Sequence, residues 1–161
     1  MLLSMSAVNY GKKFETKFKL DFLKIKDATI DRLYDQVSEY KNLSNICDFI
    51  GYKEPNIYYL ECKSHKGNTF PFQALRQYDA LLSKVGVPGV RTGVVIWFID
   101  HDRVIYVPIK TIEQMKKDNK KSVNITTIEK DGYRFIEIPS IKKRVFLDSD
   151  YSVLLSLNDE D

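Results

Sequence analysis

Asp48, Glu61 and Lys63 fall in the stretch DFIGYKEPNIYYLECK, with the first acid thirteen positions before the second and the lysine two positions after it. Side chains alternate along a strand, so Tyr59, Glu61 and Lys63 point one way while Tyr58, Leu60 and Cys62 point the other. The second set suits a core; the first displays an acid and a base. Pro55 and Asn56 supply turn chemistry between NICDFI and IYYLECKS, which predicts a hairpin with Asp48 in its first strand. Adjacent antiparallel strands then bring Asp48 beside Glu61 and Lys63. Paired carboxylates suit a hard divalent cation bound through oxygen, and magnesium keeps waters and takes further ligands from phosphate. Such an ion polarises a phosphodiester, orients a water and stabilises developing charge. Lysine adds a cation beside the attacked phosphate, or helps position and deprotonate the water. Glu15, one position from Phe14 and three before Phe18, sits at the edge of an apolar helical stripe and could lean over the sheet as a further ligand.

The same three residues could equally be an exposed strand face carrying cross-strand ion pairs. Context favours the chemical reading: a helix carrying Glu15 precedes the match, and a segment beginning FPFQ follows it. A zinc site from Cys47, Cys62 and His65 lacks a fourth ligand beyond His101, so the cysteines read as buried free thiols. Arg32, Lys41, Lys66 and Arg76 are candidate phosphate contacts, and Ser64 and His65, which follow Lys63 directly, extend that set. Tyr58 and Tyr59 read as core and sheet surface. Gln77 lies one turn beyond Gln73 and reads as part of a polar helix face.

These residues need a scaffold. Asn9 caps a predicted helix through about Ile25, with Phe14, Phe18, Phe22 and Ile25 on one stripe. Lys26 to Leu43 is open between loop and short helix. FPFQALRQYDALLSKV predicts a second helix, with Pro71 in its first turn. Two strands, TGVVIWFI and RVIYVPI, join through DHDR, and a short helix KTIEQMKKD follows. Strands or turns are expected around VNITTI, YRFIEIP and RVFL. The order implies an α/β fold, a central sheet flanked by helices.

With 161 residues and no Pro/Gly-rich linker or repeat, residues 1–161 read as one domain with an acidic tail, LNDED, frayed from about residue 156. Hydrophobic residues at 43% and charged residues at 29% are ordinary for a globular chain. No apolar run nears the roughly 20 residues that span a bilayer, and MLLSMSAVNYGKK lacks the layout of a signal peptide. Two cysteines fit a reducing cytoplasm. The net charge of +3 hides lysine clusters at residues 11–19, 115–121 and 141–144. Such clusters are usually solvated faces but are compatible with phosphate-backbone binding.

NICDFIGYKEPNIYYLECKSHKGNTFPFQ resembles the active-site block of RecU-type Holliday junction resolvases, especially their phage-encoded relatives, within the PD-(D/E)xK nuclease superfamily. The resemblance runs from NYGKKFE through VVIWF to KKSVNI, roughly Asn9 to Ile125. It implies a restriction-endonuclease-like core with a mixed central sheet. It also implies catalysis by Asp48, Glu61 and Lys63, with Glu15 from the first helix and Gln73 at the start of the second. The metal would be Mg²⁺, or Mn²⁺ in its place, held by Asp48, Glu61, Glu15 and the backbone carbonyl of Cys62. The implied function is structure-selective cleavage of four-way junctions and other branched DNA by a homodimer, without membrane, in the cytoplasm of a bacterial host. Two departures stand out: Cys47 replaces the proline before the first acid, and Lys26 to Asn45 is short and modestly basic where cellular relatives carry a long basic stalk. The alternatives are another superfamily nuclease of restriction or repair type, and a DNA-binding or bridging protein without catalysis.

Overall fold

A computed structural model describes residues 9–34 and 45–161. Helix α1 spans Tyr10–Phe22. It starts where expected, because the Asn9 side chain accepts the Lys12 amide at 3.1 Å and satisfies one of the orphan donors of the first turn. Phe14, Phe18 and Phe22 are buried along one stripe, and Ile25 is buried just beyond the helix. The segment left open between loop and helix contains a strand, β1 (Thr29–Arg32). It is followed by β2 (Phe49–Lys53) and β3 (Asn56–His65). Asp48 therefore lies at the mouth of β2 rather than inside a strand, and GYK belongs to the strand rather than to the turn.

The expected second helix breaks into three pieces: β4 (Thr69–Pro71), a 3₁₀ turn (Phe72–Ala74) and the short α2 (Tyr78–Leu82). Tertiary burial overrides helical spacing here. Phe70 pairs with Val123 of a later strand, Phe72 and Leu75 are drawn into the core, and the Leu75 backbone leaves the helical region. Then come β5 (Val90–Phe98), β6 (Arg103–Pro108) and α3 (Ile109–Lys117). The chain ends with β7 (Ser122–Asn124), β8 (Ile136–Ile138), β9 (Ser140–Lys142), β10 (Leu147–Ser149) and a 3₁₀ segment, Tyr151–Ser156.

Six strands form one mixed sheet in the order β1-β2-β3-β5-β6-β8. The β3–β5 pair is parallel and all other neighbours are antiparallel. A parallel pair needs a crossover, and residues 66–89, with β4 and α2, supply it. One face of the sheet packs on α1 and the C-terminal 3₁₀ segment through Phe18, Tyr58, Leu60, Cys62, Trp97 and Tyr151. The other packs on α2 and α3 through Leu81, Val94, Ile96, Phe98, Ile112 and Val123. The fold is the expected α/β one, a mixed sheet between helical layers. Buried Asp21 ties α1 to the C-terminal strands: its carboxylate accepts from Lys17 at 2.7 Å, Lys24 at 2.8 Å and the Ser149 amide at 3.1 Å.

The acidic tail is pinned rather than frayed. Asp159 accepts from the Gly89 amide at 2.9 Å and from Arg91 at 2.6 Å, and Asp161 pairs with Arg134 at 2.7 Å. These bonds engage two of the three acids of the tail.

Gly93, in β5, lies under the buried Tyr106 ring, where a Cβ would come within 2.3 Å of the ring carbons. Overpacking of this kind costs about 1–3 kcal/mol. Gly93→Ala should lower the urea midpoint accordingly, and the loss should shrink when Tyr106→Leu opens the space; equal losses in both backgrounds would show that the ring is not the obstacle.

Candidate active site

Glu61 sits in the middle of β3, beside β5, with Val94 as its registered partner. Central strands are covered on both faces, so its carboxylate is buried, at 1% exposure, instead of displayed. One oxygen accepts from the Lys63 ammonium at 3.0 Å, and the other, Oε2, has no hydrogen-bond partner among the described residues. Burial and the neighbouring Asp48 charge push the Glu61 carboxyl up to about 7, against the pull of Lys63.

Asp48 meets β3 as the hairpin predicts. Its Oδ2 accepts from the Cys62 amide at 2.9 Å. The amide and carbonyl of one strand residue face the same side, so the Cys62 carbonyl lies toward the edge that Asp48 occupies. Glu15 reaches the cluster from α1, and burial, then Asp48, raises its carboxyl above the usual range.

Arg32, expected as a phosphate contact, joins this cluster instead. It pairs with Glu15 at 2.8 Å and with Asp48 at 3.3 Å, and it donates to the Leu33 carbonyl at 2.6 Å. Its guanidinium lies 5.4 Å from the Phe49 ring centre. The missed signal was TIDR: alternation puts Arg32 on the same strand face as buried Ile30, an awkward place for a free surface cation.

The other expected residues are scattered. Gln73 is exposed in the 3₁₀ turn beside Pro71, Lys116 and Lys121. His65 does not face water freely: its ring packs edge-on against Phe70 and Phe98, at 5.8 and 6.1 Å. Ser64 is half-buried near Gly11, Lys66 lies over the Tyr10 ring at 5.2 Å, and Arg76 is exposed. Lys41 lies outside the described residues. Cys47 and Cys62 are both buried, in cores on opposite sides of the sheet, and so cannot share a metal. The Cys47 thiol, pushed up to about 12 by burial, donates to the Phe49 carbonyl.

The donor set fits a hard divalent cation in kind: Asp48, the unpartnered buried Oε2 of Glu61 and a nearby carbonyl are all oxygen ligands. Among the described residues, however, no three His, Cys, Asp or Glu side chains converge as a ready cage. Glu15 is turned toward Arg32, which leaves the Asp48 and Glu61 carboxylates as the core of any ligand set.

The family model of Recombination protein U (RecU) matches residues 9–148. The chain belongs to the RecU family. A comparison with curated proteins found no match. Among solved structures, the RecU-family chain is similar to Hjc, a Holliday junction resolvase from the archaeal hyperthermophile Archaeoglobus fulgidus, with a TM-score of 0.52 and 16% identity. The likeness covers 72% of this chain and 89% of Hjc. At that identity it speaks for the fold alone, which is the mixed sheet between helices described above. Among the described residues no helix is long and apolar enough to cross a membrane.

Because the folded Glu61 carboxyl titrates near 7 rather than at its ordinary value of 4.5, folding holds its proton more tightly than the unfolded chain does. Below pH 4.5 both states are protonated and Glu61 costs nothing. Through the window from 4.5 to about 7 the folded state loses stability, and above 7 the loss is complete. In chelator, the urea midpoint should fall across this window. Glu61→Gln should flatten that fall, and magnesium should restore stability mainly above pH 7. A midpoint independent of pH between 5 and 8 would contradict the assignment.

Proposed function

We propose that the chain is a Holliday junction resolvase, a structure-selective endonuclease that uses a divalent metal, Mg²⁺ or Mn²⁺ in its place, with residues 1–161 acting as one nuclease domain. The reading is carried by one observation: in a RecU-family chain, Asp48 and the unpartnered oxygen of Glu61 lie together beside the Lys63 ammonium. The fold shared with the Hjc resolvase supports it.

When bound, a divalent ion would polarise the scissile phosphate and lower the pKa of an attacking water. Asp48, Glu61 and the Cys62 carbonyl would hold it. Glu61 needs its proton removed to serve as a ligand, so binding draws its carboxyl back toward the ionised state. The Asp48 side chain is fixed by the Cys62 amide, so one ligand is positioned in advance. Lys63 holds a positive charge at the strand end, where negative charge accumulates on the phosphate. Arg32 fixes Glu15 and balances Asp48, and when a phosphate enters, its five donors can exchange a carboxylate for a phosphate oxygen.

Glu61→Gln and Asp48→Asn should abolish magnesium-dependent cutting of a synthetic four-way junction while leaving junction binding intact or tighter, since negative charge near phosphate is removed. Lys63→Ala should lower the single-turnover rate about 10²–10³-fold, the usual effect of losing a charge that acts on the transition state, with little change in affinity. Linear duplex and flap DNA assayed alongside separate a resolvase from a general nuclease. Cutting at the wild-type rate by Glu61→Gln would place the active site elsewhere.

Resolution into two duplexes needs two incisions, and one cluster makes one. A junction is close to two-fold symmetric, so a closed homodimer would present two equivalent sites. Mixed dimers of wild-type and Glu61→Gln chains should nick a cruciform plasmid, whereas wild-type dimers should linearise it. Efficient linear product from the mixed dimer would refute paired sites.

A further inference from the structure

A groove of about 490 Å³ opens between the 3₁₀ turn after β4 and the end of α3, lined by Pro71, Phe72, Gln73, Lys116, Lys120, Lys121 and Ser122. None of its three lysines pairs with a carboxylate among the described residues. The nearby acids are committed elsewhere. Glu113 pairs with Lys117 at 3.2 Å, and the Asp118 carboxylate accepts from Gln114 and from the Tyr133 hydroxyl. A helix C-terminus attracts lysines in any protein, but the backbone here is built more tightly than that requires. Asn119 takes the left-handed conformation at φ 62°. Its amide donates to the Lys116 carbonyl at 3.0 Å, and the Lys120 amide donates to the Met115 carbonyl at 2.8 Å, the paired bonds of a Schellman cap. The Lys121 carbonyl accepts the Phe72 amide at 2.9 Å, and β7 then pairs with β4. Both walls are therefore joined by backbone hydrogen bonds, and the lysine stems rise from fixed points.

We propose that this groove grips the phosphodiester backbone of a double-stranded DNA arm leading away from the cleavage site. The proposal rests on the nuclease reading and deepens it. The groove elements, α3 and β7, pack on the same sheet face as Val94 and Ile96, the registered partners of Glu61 and Lys63. An arm held there lies on the helical layer that covers the sheet face of Glu61 and Lys63. The occupant is duplex rather than single-stranded because, among the described residues of the groove, no aromatic face is open for base stacking. Phe72 is buried, and the Lys116 ammonium covers the Tyr78 ring at 3.5 Å. What remains is positive charge with the Gln73 amide and the Ser122 hydroxyl, a donor set for phosphate oxygens.

The test uses the full chain and compares wild type with Lys120→Gln/Lys121→Gln, whose exposed side chains hold no structural contact among the described residues. Affinity for a linear duplex and a four-way junction is measured across a salt series by fluorescence anisotropy, with thermal melts confirming the fold. Each lost phosphate contact removes about 0.9 from the slope of log affinity against log salt, so the slope should become shallower by about 1.8. That is roughly tenfold less affinity lost between about 50 and about 200 mM salt. The loss should be shared by duplex and junction, and Lys120→Arg/Lys121→Arg should restore it. An unchanged slope in a folded variant, or a loss confined to single-stranded DNA or to an acidic peptide, would overturn the groove. If wild type cuts no junction while the variant still loses its salt slope on duplex, the groove stands and the resolvase reading falls.

Discussion

The buried carboxylate of Glu61, with one oxygen held by Lys63 and the other unpartnered, is the constraint on which the rest of the structure depends. A buried acceptor left without a donor costs about 1–3 kcal/mol, and a neighbouring carboxylate adds repulsion. Such a group persists only where surrounding structure over-determines its place. Here that structure is a central strand hydrogen-bonded on both sides, with a dry core above and below. The β3–β5 ladder runs from Ile57 to His65, so Glu61 sits in its middle and cannot swing out to water without breaking the sheet. An oxygen that cannot find a proton donor within the protein is an oxygen kept for something else.

Arg32 sets the charge balance around it. Glu15, Asp48 and Glu61 bring three potential negative charges, and Arg32 and Lys63 bring two positive ones. With every acid ionised the cluster carries one excess negative charge, and a single divalent ion reverses its sign. While Glu61 keeps its proton the same cluster is neutral. On the proposed reading a bound divalent ion would make it attract phosphate, and Arg32 could then turn to the new anion.

The carboxylates and the strand that carries them were legible because their signals are local. Period-two alternation separates Glu61 from Leu60 and Cys62, and turn chemistry places Asp48 opposite. Helix α1 was legible for the same reason, with a cap and an aromatic stripe inside one segment. The burial of Glu61 was not, because it depends on β5 lying parallel beside β3, a pairing between segments some thirty residues apart. Arg32 reads from sequence only as a phosphate contact, because its pairing with the acids depends on Glu15 and Asp48, seventeen and sixteen positions away on either side. FPFQALRQYDALLSKV carries a helical pattern, yet Phe70 gains more by pairing with Val123 in a strand. Long-range burial overruled local spacing there, and Gln73 lies in the resulting 3₁₀ turn, at the lip of the lysine groove.

That displacement bears on how such a chain could hold a polyanion at all. A site close to neutral, with its cations already paired to acids, has little charge to spend on attraction. Affinity would then come from lysines without a carboxylate partner among the described residues, and Lys120 and Lys121 of the proposed groove are of that kind. Separating the two tasks has a physical advantage. Charge that binds every phosphate alike can be strong without stabilising the ground state of the one phosphate to be cut, and only differential stabilisation accelerates the reaction. On the proposed reading the cluster would be left to act where charge develops, while the distance and angle between groove and cluster would decide which DNA shapes can occupy both. Selectivity for a branched substrate would then be a question of where two rigid elements lie, and not of which bases they touch.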